Sequence, residues 1–151
     1  MHIILKGKKI KKPINIRDLK LGHKKVFYLK ITEKLHNQFK KFSGDNSPIH
    51  TDLNFCKINK YKKKLGYAFL ITSALSKIYG VYFPGGNELC LYQSCNFRNP
   101  FFINDTLIFY IKVVQANYST KIITLETVVK CRNKIIFEGQ SILKLSLNNG
   151  K

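Results

Sequence analysis

A chain of 151 residues with 44% hydrophobic and 13% aromatic residues can bury a core, which excludes a disordered polymer and suits one domain over residues 1–151. Its 27 Lys+Arg against 8 Asp+Glu leave a formal net charge of +19, so an anionic partner is one reading and the base composition of an AT-rich genome is the other. No apolar run reaches the ~18–20 residues that cross a bilayer, and the N-terminus lacks the apolar core of a signal peptide. A cytoplasmic protein without membrane contact is therefore the expectation.

Residues 1–20 are rich in lysine, with Pro13 in their midst, and read as a basic arm or an edge segment. Residues 24–31 alternate as a strand does. Thr32 is a helix cap, and Leu35, Phe39 and Phe42 follow at spacings of four and three on one face. Ser43-Gly44 ends that helix. A loop is predicted from 44 to about 64, carrying Pro48 and the lysines 57, 60, 62, 63 and 64.

Residues 67–79 are apolar nearly all round, the mark of a helix enclosed by its surroundings. Gly80 is expected to end it, and Pro84-Gly85-Gly86 to make the turn. Four strands then follow, at about 88–98, 106–117, 120–131 and 134–146. A run of strands after a helix argues an α+β fold, an antiparallel sheet wrapped around one long buried helix.

The cysteines at 56, 90, 95 and 131 form no C-x-x-C and no zinc spacing, so free, mostly buried thiols in a reducing compartment and no metal site are expected. Only Arg17, Arg98 and Arg132 are arginines. Base-specific reading leans on guanidinium forks, and no groove-reading motif is present, so the sequence argues against a nucleic-acid partner.

One segment has a composition that packing alone does not call for: Phe39-Lys-Lys-Phe42-Ser43-Gly44-Asp45-Asn46-Ser47-Pro48-Ile49-His50-Thr51-Asp52. Asp45 and His50 lie five residues apart in a turned loop, where a carboxylate and an imidazole can share one water as an acid/base pair. The structural alternative is that Asp45 caps a turn and His50 is an ordinary loop histidine. A metal pair of His50 with Asp52 is the weaker idea, since two ligands do not make a site.

The string resembles the hydratase 2 motif of the MaoC-like dehydratases, the (R)-specific enoyl-CoA hydratases. Phe39, Phe42, Ser43, Gly44, Asp45, Pro48, Ile49 and His50 match it in register. Leu21-Gly22, Ile31-Thr32-Glu33, Pro84-Gly85, Gln93-Ser94, Phe97, Pro100, Phe102 and Asp105 extend the likeness over roughly residues 20–147. The family's Asn is Ser47 here, and its His-Gly at the start of the buried helix is Tyr67-Ala68.

The resemblance implies a hotdog fold and a 3-hydroxyacyl thioester dehydratase or enoyl-thioester hydratase, a hydro-lyase of fatty acid metabolism that needs no cofactor. It implies Asp45 and His50 as the acid/base pair and the Ala68 backbone N–H as oxyanion donor, with Ser76 beside the site. The substrate would be an acyl-CoA or acyl carrier protein thioester. Lys62, Lys63 and Lys64, just after the motif, could hold its phosphates or an acidic carrier. A homodimer or larger homo-oligomer is implied, because hotdog sheets pair edge to edge. Two rivals on the same fold are a non-catalytic acyl-thioester or protein-binding module, suggested by Tyr67-Ala68, and a thioesterase. Thioesterases carry a carboxylate on the long helix, which this sequence lacks.

Overall fold

The computed structural model describes residues 5–6, 14–86 and 88–145. Seven strands form one antiparallel sheet: β1 (Leu5–Lys6), β2 (Lys24–Lys30), β3 (Glu88–Gln93), β4 (Asn96–Phe97), β5 (Thr106–Asn117), β6 (Ile122–Cys131) and β7 (Lys134–Leu145). Their spatial order is β1-β2-β5-β6-β7-β3, with β4 also pairing with β7. Four helices precede and interrupt the strands: α1 (Glu33–Ser43), α2 (Pro48–Thr51), α3 (Leu53–Ile58) and α4 (Phe69–Lys77).

Alternation writes the sheet's inner face. Leu107, Phe109, Ile111 and Val113 of β5 are buried, as are Ile123, Leu125 and Val129 of β6. Phe137 and Leu143 of β7 join them. Against this face lies α4, which buries Leu70, Ile71, Ala74 and Leu75. The long helix and the sheet thus share one core, and Leu19, Leu35 and Phe39 close its edge. The sheet wrapped on one helix is the α+β arrangement expected from the sequence.

Several local expectations are corrected. Phe42 shares a face with Leu35 and Phe39 yet is 77% exposed, because the last turn of α1 overhangs the core. The expected 44–64 loop contains α2, opened by Pro48 in its first turn, and α3, capped by Asp52. Asp52 accepts from the Asn54 and Phe55 N–H groups at 2.7 and 3.2 Å, so its carboxylate serves the helix. Gly80 does not end the long helix, which continues from Ile78 to Tyr82 as a π-helical turn. Nor is α4 enclosed all round: Phe69 is 66% exposed and Ser76 faces solvent.

The expected strand at 88–98 breaks at Ser94-Cys95 into β3 and β4. Of the four free thiols, Cys56 and Cys131 are buried, while Cys90 and Cys95 are exposed. Most of the basic arm lies outside the described residues. Within it, Leu5–Lys6 pairs with the edge of β2, and Leu19 is fully buried. Among the described residues no helix is long and apolar enough to cross a membrane.

Candidate active site

The loop from Gly44 to Thr51 is built by its own polar residues. Thr32 caps α1 by accepting from the Leu35 N–H at 3.1 Å. Gly44 ends the helix in the left-handed region, at φ 71°, where a side chain would be strained. Asp45 follows directly. Its Oδ1 accepts from both the N–H and the hydroxyl of Ser47, at 2.9 and 2.7 Å. Those two bonds, led by the hydroxyl, hold the Asp45 carboxyl below the usual carboxylate range, and the charge of a protonated His50 would add to them. Ser47, where the motif has Asn, therefore still organises the loop.

His50 sits in the short helix α2. Its Nδ1 lies 3.0 Å from the Leu65 carbonyl, which can only accept, so Nδ1 carries the proton of the neutral ring. The Leu65 N–H in turn donates to the Ile49 carbonyl at 3.1 Å. This reciprocal tie leaves His50 Nε2 as the ring nitrogen beside Asp45, 3.9 Å from its Oδ2. At that distance the two groups share no direct hydrogen bond.

Tyr67 is the ring on which the site rests. It is buried, and its hydroxyl donates to the Asp45 carbonyl oxygen at 2.9 Å. Its ring centroid is 4.1 Å from that of His50 and 4.6 Å from that of His36. Burial, with the negative charge of Asp45 adding to it, raises the Tyr67 hydroxyl above the ordinary tyrosine range and keeps it a donor. His36 donates from Nε2 to the His50 carbonyl at 3.0 Å.

A cavity of about 280 Å³ opens beside His50. Its wall includes Leu65, Gly66, Ala68 and Ile71 on one side and Phe97, Arg98, Phe101 and Ile136 on the other. Gly66 is required there: its N–H donates to the Phe101 carbonyl at 2.7 Å, and an added Cβ would lie 2.0 Å from the Phe101 ring. Ala68 stands at the N-terminal boundary of α4 with φ −57° and ψ −43°, where the helix itself offers its N–H no acceptor. The positive end of the α4 dipole therefore faces the cavity. Among the described residues no three His, Cys, Asp or Glu side chains gather as a metal site.

The sequence-chosen residues are thus only partly brought together. His50 and Ala68 line the cavity; Asp45 is not itself in its wall but lies against His50. Ser76 is exposed and outside the lining. Lys62 and Lys63 are exposed and Lys64 is half-buried, in the segment leading into Leu65. Sequence reasoning missed His36 and Arg98, and it noted Tyr67 only as a departure. A signal for His36 existed, since it falls beside Leu35 and three residues before Phe39, on the apolar stripe of α1. Arg98 carried no such signal; its charge is engaged by Glu138 at 2.8 Å.

The family model for a MaoC like domain matches residues 20–134. An (R)-specific enoyl-CoA hydratase of Rhodospirillum rubrum is 24% identical over 124 residues, 82% of this chain and 86% of that protein. A 3-hydroxybutyryl-CoA dehydratase of Methylorubrum extorquens is 20% identical over 128 residues, 85% of this chain and 82% of that protein. Among solved structures, an (R)-hydratase from Aeromonas caviae involved in PHA biosynthesis superimposes with a TM-score of 0.81 at 24% identity, covering 86% of this chain and 99% of that one. An unliganded R-hydratase from Pseudomonas aeruginosa gives 0.80 at 21% identity, covering 86% and 84%. At these identities the structural likeness establishes the fold, and it is the hotdog fold.

Proposed function

The chain belongs to the MaoC-like domain family, and from that premise we propose that it is a hydro-lyase. It adds water to 2-enoyl thioesters or removes it from (R)-3-hydroxyacyl thioesters, with Asp45 and His50 as its acid/base pair. The observation that carries this reading is the 3.9 Å gap between Asp45 Oδ2 and His50 Nε2, on a ring whose Nδ1 is bound to the Leu65 carbonyl, beside an apolar cavity. Two basic atoms at that separation can both reach one water.

In hydration, the water oxygen bonds to C3 while the Asp45/His50 pair takes one of its protons. The C2–C3 π electrons move toward the thioester, leaving an enolate. The pair then returns the proton to C2, so that H and OH have been added and both side chains are restored. Dehydration runs the same steps backwards. The Ala68 N–H, at the positive end of α4, is the donor assigned to the thioester oxygen as its negative charge grows. The Ala68 methyl does not remove that N–H, and the cavity walls of Ile71, Phe97 and Phe101 suit an acyl chain.

Exposed lysines at 57, 60, 62 and 63 precede Leu65 of the cavity wall in the chain, and they fit the phosphates of coenzyme A or an acidic carrier protein. Strand β3 supports the homodimer reading. It is an edge strand, and its Leu89, Leu91 and Tyr92 are each about half exposed or more, a surface that pairing with a second copy would cover.

The test is a hydration assay with crotonyl-CoA and longer enoyl thioesters, following loss of the enoyl thioester absorbance. Wild type turns over, and Asp45→Asn falls by ~10²–10⁴ while remaining folded. Equal rates for the two proteins would overturn the assignment of Asp45. A wild type without turnover, regained with Tyr67→His and Ala68→Gly together, would establish the non-catalytic reading instead.

A further inference from the structure

The loop that carries Asp45 and His50 is held at both of its ends by groups outside it. At one end the Tyr67 hydroxyl donates to the Asp45 carbonyl at 2.9 Å. At the other the His36 imidazole donates to the His50 carbonyl at 3.0 Å. The two holding rings meet at a tilt of 40° with centroids 4.6 Å apart, and Tyr67 in turn meets His50 at a tilt of 33° and 4.1 Å. Three rings in a row therefore join α1, the start of α4 and the loop. We propose that His36 is a positioning residue which, with Tyr67, clamps the two loop carbonyls and so sets the distance between the Asp45 carboxylate and His50. The inference rests on the hydratase reading of that pair and concerns how its geometry is maintained.

What singles out His36 is a polar atom left over. Its Nε2 faces a carbonyl, which can only accept, so that nitrogen carries the ring proton. Its Nδ1 is then a bare acceptor, and among the described residues it is the buried side-chain polar atom without a hydrogen-bond partner. An aliphatic side chain would fill the same place on the apolar stripe between Leu35 and Phe39 without that penalty. The imidazole instead supplies the donor that the His50 carbonyl receives.

The clamp works with a neutral ring. Protonating Nδ1 would bury a second donor with no acceptor, beside His50, Lys64 and the Tyr67 ring, with Glu33 as the opposing charge. Burial, the largest influence, accordingly pushes the His36 pKa below the ordinary histidine value. The folded form thus binds this proton less readily than the unfolded chain. Its contribution is complete above the unfolded value and is lost as pH falls through the lowered one.

Nitrogen NMR of the full chain with ¹⁵N-labelled histidine reads the clamp without reference to turnover. At pH 7, His36 should be the neutral Nε2–H tautomer and His50 the Nδ1–H tautomer. A cationic or Nδ1–H His36 overturns the proposal, whether or not the protein hydrates anything. The kinetic arm compares His36→Leu, which removes the donor, with His36→Gln, which restores one near the Nε2 position. Against crotonyl-CoA, kcat of the leucine variant should fall ~10- to 100-fold with KM within about twofold, while its Tm stays close to that of wild type, because relief of the bare Nδ1 offsets the His50 carbonyl left without its donor. The glutamine variant should recover most of kcat. A role in packing alone predicts a lower Tm and an unchanged kcat for leucine, and that result overturns the clamp. A wild type that fails to turn over while His36 shows the expected tautomer would count against the hydratase reading and leave the clamp standing.

Discussion

Two clusters of polar groups sit at opposite ends of the long helix, and each is organised by a buried tyrosine. At the far end, Tyr79 donates to the Ser141 hydroxyl at 2.6 Å, Ser141 donates to Gln93 Oε1 at 2.6 Å, and Gln93 donates to the Ser94 carbonyl at 2.8 Å. Thr127 lies 3.4 Å behind the Tyr79 hydroxyl. Every proton in that chain runs one way and ends on a backbone oxygen. At the near end, Tyr67 spends its hydroxyl on a backbone carbonyl, and the side chains it supports are left 3.9 Å apart and unbonded to each other. A satisfied network rigidifies a core; a network with a gap between two bases has capacity for something that is not protein.

The comparison is broken most sharply by removing a donor from the near end. Ala68 has φ −57°, which proline adopts without strain, and its place at the start of α4 tolerates a missing N–H. Ala68→Pro should therefore stay folded and lose ~10²–10³ in kcat, the cost of one oxyanion donor, whereas Ala68→Gly should stay near wild type. Circular dichroism melts alongside enoyl thioester kinetics check both. A folded Ala68→Pro of full activity would place the donor elsewhere.

The far end should respond in the other currency. Tyr79→Phe takes away the donor that the buried Ser141 hydroxyl accepts from and the Thr127 hydroxyl's neighbour at 3.4 Å, though Ser141 keeps its bond to Gln93, and it should cost about 1–3 kcal/mol of stability. Its kcat at a temperature well below the melt should be unchanged. Denaturant unfolding and the same assay test this. A rate loss without a stability loss would mean that the two ends are not separate in function.

The legibility of the chain follows the same division. The strands β5, β6 and β7 could be read because half-buried strands alternate, and α1 because Thr32 and Gly44 are local signals whose effect does not depend on the rest of the fold. Helices α2 and α3 were hidden because four and six residues are too short for a periodic signal; Pro48 and Asp52 start them, and contacts such as Leu65 to Ile49 keep them. Continuation of the long helix through Gly80 is a tertiary outcome, since the buried neighbours Ile78, Tyr79 and Tyr82 outweigh a poor helix former. At the site, the pairing of Asp45 with His50 could be proposed from a motif. The row of His36, Tyr67 and His50 rings could not, because its two contacts join positions 31 and 17 residues apart along the chain through rings whose sequence context reads as core.

A smaller effect sharpens the electrostatics of the near end. Both Ser47 bonds stabilise the charged form of Asp45, so the folded pKa lies below the unfolded one. Stability from this group is therefore present above the unfolded value near 3.8 and is lost as pH falls through the lowered folded value. Ser47→Ala removes the hydroxyl bond and keeps the N–H bond. Its carboxyl should rise part of the way toward the ordinary range, and ¹³C-carboxyl NMR should find the Asp45 midpoint at higher pH than in wild type. An unmoved midpoint would mean that the backbone N–H alone holds the charge.

The smallest expected effect lies outside both clusters, on the lysines that precede Leu65 in the chain. If Lys62, Lys63 and Lys64 meet the phosphates of the thioester carrier, salt should raise KM steeply and leave kcat nearly constant, because screening weakens encounter more than chemistry. Lys62 and Lys63 are exposed, so each contributes through long-range attraction with no fixed partner, and the effect of any one should be small. Replacing all three with Gln should raise KM at low salt and flatten its salt dependence, while kcat, which the proposed function assigns to the near end of α4, stays within about twofold. Titrating ionic strength in the hydration assay measures both slopes. An unchanged slope in the triple variant would assign these lysines to the base composition of the genome, and it would leave the Asp45/His50 chemistry untouched.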